Sequence, residues 1–258
     1  MRDCPHLPLT RRGSIPGSMV FGLANPQRFM ALTRRVPAIL GCVAAALLAA
    51  GVWLSFIAPP DYQQGETVRI MFIHVPAAWM SLFVYVCLGT SAFFGVVFRH
   101  ALADAAARAA APLGAAFTGL ALATGSLWGR PMWGAWWVND ARLVSVLILF
   151  LFYLGYMALQ VAIDDEQKGT RAANILALVG LINVPIVHFS VNWWNSLHQD
   201  ASVFRVGGPT ISWSLLAPLL VMAAAYTILF LALWTLRIHT EINRRRAMAM
   251  MLRAAGGA

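Results

Sequence analysis

Leu143-Val-Ser-Val-Leu-Ile-Leu-Phe-Leu-Phe-Tyr-Leu-Gly-Tyr-Met-Ala-Leu-Gln-Val-Ala-Ile163 runs for 21 residues without a charge and stops at Asp164-Asp165-Glu166. At 1.5 Å per residue such a run matches a hydrocarbon core of ~30 Å. It lacks the in-out alternation of a barrel strand, so a helix is the reading that satisfies every backbone group in lipid. Five more apolar runs lie at about 36–58, 71–98, 112–128, 172–189 and 213–236. The whole chain shares this bias, with 60% hydrophobic residues, 11% charged residues and a mean hydropathy of +0.69. These values exclude an ordinary soluble domain. The expected fold is an all-α integral membrane protein with six transmembrane helices.

Basic residues set the orientation. The N-terminal tail (1–35), the loops at 99–111 and 164–171 and the C-terminal tail (237–258) together hold 15 arginines and lysines, against 4 in the loops at 59–70, 128–142 and 190–212. Both termini are therefore expected to be cytoplasmic, with the other three loops external. The first 35 residues, containing Pro, Gly and Arg, read as disordered, residues 36–236 as the membrane domain, and 237–258 as a basic cytoplasmic tail whose Arg244, Arg245 and Arg246 form a stop-transfer flank, a lipid or partner contact being the second reading. The formal charge of +9 follows from this topology, because the basic residues flank spans and form no single patch for nucleic acid. Cys4, Cys42 and Cys87 form no Cys-x-x-Cys pair, which excludes thiol redox chemistry and covalent haem attachment. No nucleophile-base pair, phosphate loop or metal-hydrolase motif is present, so no enzyme is expected.

Two external loops stand out. Six of the ten tryptophans (Trp128, Trp133, Trp136, Trp137, Trp193 and Trp194) fall in them, whereas an anchoring belt would populate both membrane faces. Trp53, Trp79, Trp213 and Trp234 read as anchors. If residues 133–140 are helical, Trp133, Trp136, Trp137 and Asp140 share one face and form an aromatic shelf with one carboxylate. His74 lies about one turn into the second span, where an ionisable group is costly and marks a functional site. His198 follows Trp193 and Trp194 on the same side. His188, at the end of the fifth span, is either a further site residue or a partner for a backbone carbonyl. His74 and His198 over an aromatic floor form a candidate bis-histidine site for haem iron.

The stretch Trp128-Gly-Arg-Pro-Met-Trp-Gly-Ala-Trp-Trp-Val-Asn-Asp140 resembles the tryptophan-rich signature of haem-handling membrane proteins. Together with Pro59-Pro-Asp-Tyr-Gln-Gln-Gly65, Arg69-Ile-Met-Phe-Ile-His-Val-Pro76 and Pro185-Ile-Val-His-Phe-Ser-Val-Asn-Trp-Trp-Asn-Ser-Leu-His-Gln199, it makes residues 24–236 similar to the cytochrome c maturation protein C (CcmC) family. The resemblance implies an inner-membrane protein that carries haem b non-covalently on its periplasmic face, with His74 and His198 as axial ligands. It also implies presentation of that haem to the chaperone CcmE, with the ABC transporter subunits CcmA and CcmB and the small membrane protein CcmD as partners. One position departs from the family pattern: Asn139 stands where Trp-Val-Trp-Asp carries its second indole.

An anionic macrocycle would draw its propionate partners from Arg69, Arg130, Arg142 and Arg205, the external basic residues, whose bland role is to anchor loops at the headgroups. Two other classes compete: a membrane b-type cytochrome for electron transfer, and a multi-span solute transporter. The first would set both ligands at matched depth in helices, and the second would line a midplane path with polar groups or broken helices. Asn174 and Asn183 are the main polar exceptions in the spans.

Overall fold

The computed structural model describes residues 25–198 and 202–256. Its helices are α1 (Pro26–Thr33), α2 (Val36–Ile57), α3 (Met71–Phe98), α4 (Ala101–Trp133), α5 (Ala141–Ala162), α6 (Glu166–Gly180), α7 (Asn183–Trp193) and α8 (Trp213–Gly256), with a 3-10 turn at Glu66–Ile70 leading into α3. Six helical segments are long and apolar enough to cross a membrane, α6 and α7 together making one of them. The described chain is thus a helical multi-pass membrane protein with six spans.

Several boundaries differ from the hydropathy reading. The tail predicted as disordered is helical over Pro26–Thr33, where Asn25 caps the amides and Pro26 occupies the first turn; residues 1–24 of that prediction lie outside the described residues. The third span begins at Ala101, ahead of the apolar run at 112, because residues 101–111 are mostly alanine, the strongest helix former. The His100 side chain accepts from the Ala103 amide and Asp104 sits in the first turn. The last helix does not stop at residue 236 but continues to Gly256. Glu241 pairs there with Arg244 and Arg245, one turn on.

α3 packs along α4, α2 along α8, and α5 along α6, with α4 central to the bundle. The core between them holds Tyr85, Tyr153, Tyr156, Phe72 and Phe230, all buried. Gly114 lets the Tyr153 ring lie against the α4 backbone, where any Cβ would collide with it, and the Tyr153 hydroxyl donates to the Ser81 carbonyl on α3 at 2.9 Å. Small residues that admit such close approach replace the hydrophobic drive that lipid does not supply between helices. The two asparagines noted in the fifth span are used in the same way. Asn174 donates to Asp104 at 2.8 Å and accepts from Tyr156 at 3.1 Å, while Asn183 donates to the Ser145 carbonyl at 2.9 Å. Their polar groups therefore tie helices together.

Candidate functional site

One end of the bundle encloses a cavity of about 450 Å³, within the ~300–1,000 Å³ usual for small-molecule sites. Its wall is built from the start of α3, the end of α4, the start of α5, the end of α7 and the loop that follows. His74 and His198 both line it, as do Trp128, Trp133 and Trp137.

His74 is the fourth residue of α3. Its Nδ1 lies 3.0 Å from the Ala121 carbonyl and 3.1 Å from the Thr124 hydroxyl on α4. A carbonyl accepts only, so the proton belongs on Nδ1 and Nε2 keeps its lone pair. Gly125 makes this seat possible, since a Cβ there would stand 3.0 Å from His74 Cε1. Trp128 meets the imidazole edge-on at 5.6 Å and donates its indole N–H to Gln64 at 3.0 Å. Gln64 is held in turn by a tight turn in which the Asp61 carboxylate accepts from the amides of Gln63 and Gln64.

His198 reaches the cavity from a loop that the Asp140 side chain fastens. Asp140 is buried at the N-cap of α5, where it accepts from the Arg142 amide at 2.9 Å and from the Leu197 amide at 3.0 Å. The His198 Nδ1 lies 3.3 Å from Asp140 Oδ1, close enough for electrostatic attraction but without the alignment of a full hydrogen bond. Trp133 packs edge-on against the His198 ring at 5.0 Å. Burial pushes His198 below the ordinary imidazole range, and Asp140 partly counters it. Burial alone would raise Asp140, but hydrogen bonds from the Ser196 hydroxyl and the Leu197 and Arg142 amides, with His198 nearby, hold it below the usual carboxylate range.

The helical shelf is corrected by these contacts. α4 ends at Trp133, Gly134 takes a left-handed φ of 75°, and residues 137–140 run without helical hydrogen bonding. Glycine at that position is the ordinary way for a helix to stop. Trp133 and Trp137 still reach the cavity, Asp140 stands behind His198, and Trp136 is exposed. Trp193 and Trp194 are exposed as well and do not line the wall. Asn139 is exposed and accepts from the Trp137 indole at 3.1 Å.

Of the external arginines, Arg142 alone lines the cavity; it donates to the Ser190 hydroxyl and the His188 carbonyl. Arg69 is engaged with Glu66 and with the Ser55 and Phe56 carbonyls at the end of α2, and Arg130 with the Gly134 carbonyl. Both satisfy helix-end carbonyls. The cavity also includes residues the sequence reading assigned elsewhere or passed over. Trp79, expected as an anchor, forms part of the wall with Phe204, their rings 5.4 Å apart, and Met132 joins it; His188, left open between two roles, lines it too. These arrivals depend on tertiary packing; for Trp79 the one local signal is its place a turn beyond His74. Among the described residues no three His, Cys, Asp or Glu side chains converge as a metal cluster. The arrangement suits a flat apolar ligand approached by two imidazoles.

A family model described as "Heme exporter protein C" matches residues 19–253. The chain is 58% identical to "Heme exporter protein C" of Bradyrhizobium diazoefficiens over 90% of its own length and 89% of the relative. It is 42% identical to the protein of that name from Paracoccus denitrificans over 91% and 98%, and 46% identical to that from Escherichia coli K12 over 70% and 74%. The chain belongs to the heme exporter protein C family.

Proposed function

We propose that this protein holds haem b non-covalently in the cavity and delivers it during cytochrome c maturation, as a haem-handling subunit with no catalytic centre of its own. His74 and His198 are the axial ligands in this reading. The observation that carries it is the pair of imidazoles lining one apolar cavity from separate elements, His74 with Nδ1 bonded to the Ala121 carbonyl and His198 with Nδ1 3.3 Å from the Asp140 carboxylate. Such partners fix the tautomer that leaves Nε2 for a metal and raise its basicity. Trp128, Trp133 and Trp137 face the macrocycle, where apolar burial and ring stacking favour it. Arg142 offers its guanidinium to a propionate, and Arg69 and Arg130 hold the rim that they brace.

The relatives are named for haem export, and the excess of basic residues at the opposite end of the bundle supports a cavity on the periplasmic side of the inner membrane, with both termini cytoplasmic. Exposed Trp136, Trp193 and Trp194 give a haem chaperone, CcmE, a surface beside the cavity, and CcmA, CcmB and CcmD complete the release complex. Two ligands on separate elements, α3 and the loop after α7, suit a carrier that must surrender its cargo.

The test is the visible spectrum of the detergent-purified protein from haem-replete cells, followed by pyridine haemochrome assay and acid-acetone extraction. Extractable b-type haem at near-stoichiometric amount is expected; a colourless protein that also refuses added haemin would overturn the reading.

A further inference from the structure

At the opposite end of the bundle, 25 residues along α4 from Trp133 and so about 37 Å away, a second cavity of about 260 Å³ lies between α4 and α8. Arg108, Arg237, Thr240, Glu241 and Arg244 line it. Glu241 is buried and held by Arg244 and Arg245, with Arg108 3.8 Å away, while Glu166 at the start of α6 pairs with Arg108 and Arg244. Three arginines, Arg108, Arg244 and Arg245, thus meet two glutamates, with Asp104 also acting on Arg245, and Arg237 stands outside these pairs.

Arg237 is the member that the ion pairs leave over. Its Nε donates to the Ala109 carbonyl at 3.3 Å, and among the described residues its two amino groups make no hydrogen bond. It directly follows the apolar run that ends at Leu236, one turn past Trp234, whose indole donates to the Ala106 carbonyl at 2.8 Å. An indole fixed in this way beside the end of a span marks headgroup depth. Two guanidinium groups at that depth, Arg237 outside the ion pairs and Arg108 beside it in the pocket wall, match a phosphate both in their forked geometry and in their sign.

We propose that this pocket binds the phosphate of an anionic phospholipid headgroup, with Arg237 and Arg108 as its donors and the acyl chains lying on the apolar outer face of α8. Glu241 does not oppose the anion, because its charge is already met by the arginines around it. The site is separate from the histidine cavity and does not depend on what that cavity carries.

The experiment is native mass spectrometry of the full-length, delipidated protein given equal amounts of phosphatidylglycerol and phosphatidylcholine, with thermal melting in inorganic phosphate as a second arm. Arg237→Gln breaks no ion pair and should cut the preference for phosphatidylglycerol about fivefold. Arg253→Gln, which removes a charge on the same helix away from the pocket, should leave the preference in place. An Arg237-dependent rise in melting temperature with inorganic phosphate, without lipid preference, would keep the phosphate site and reassign its source. An equal loss in both variants, or no Arg237-dependent response to either ligand, would overturn the proposal.

Discussion

Asp140 Oδ1 stands 3.3 Å from Nδ1 of His198 while the same carboxylate caps α5 and holds the Leu197 amide. One buried side chain thus joins the tryptophan-rich segment, the helix after it and the loop that carries a proposed iron ligand.

Replacing that carboxylate separates its two jobs. Asp140→Asn keeps one acceptor oxygen for the N-cap but sets its NH2 group against the Leu197 amide, so melting should fall modestly, and it removes the charge beside His198, which should weaken haem binding about 10–100-fold. Asp140→Ala loses the cap as well and should cost about 1 kcal/mol more in stability. Haemin titration and melting of the two variants separate these effects. Equal haem affinity in wild type and Asp140→Asn would show that the carboxylate serves the fold alone.

Acid should release the cargo. Because burial lowers the His198 pKa, its ring stays neutral in the folded protein down to below the ordinary value of about 6.5. Ligation should therefore be flat above that value and fall as pH drops through the folded pKa, when a proton takes the lone pair. The unfolded ring binds its proton first, so His198 also makes folding less favourable as pH falls below about 6.5. Asp140 counteracts the lowering. In Asp140→Asn the haem-release midpoint should shift further towards acid, as read from the Soret band across a pH series.

Gly125→Ala should act on haem before it acts on the fold. The new Cβ would press on His74 Cε1 at 3.0 Å, so the ring must shift by a few tenths of an ångström. Haem affinity should fall and the low-spin spectrum weaken. Gly41→Ala is the control: nothing lies within 4 Å of its Cβ, and loss of a helix-interior glycine should add about 0.5–1 kcal/mol of stability with an unchanged spectrum.

Asn139→Trp restores the residue usual in the family signature. Position 139 is exposed, and its present link is to the Trp137 indole at 3.1 Å. The bound spectrum should hardly change, while stopped-flow transfer of haem to a chaperone should become faster. An altered Soret band would instead place position 139 against the macrocycle.

The spans were legible because charge-free runs of about 20 residues have no other home. The extension of α4 back to Ala101 was not, since alanine adds little hydropathy yet favours helix strongly. The stop at Gly134 and the cap at Asp140 were both written in the chain, as a glycine after a helix carrying Arg130 in its last turn and an aspartate before an apolar run. A 100° periodicity applied across that glycine produced the false shelf. His74 and His198 drew attention individually, but Ala121, Thr124 and Gly125 came to His74 from 47 to 51 positions away. Phe204 and Met132 joined the cavity through packing that local patterns do not encode, and packing alone singled out Arg142 from the four external arginines.

The most direct test of the haem-carrier account is the Soret and α/β spectrum of the His74→Ala, His198→Ala double variant beside the wild type, at matched protein and haemin concentrations. The account predicts that the low-spin bis-histidine spectrum disappears while the protein remains membrane-inserted and folded. An unchanged Soret band in the double variant would contradict it.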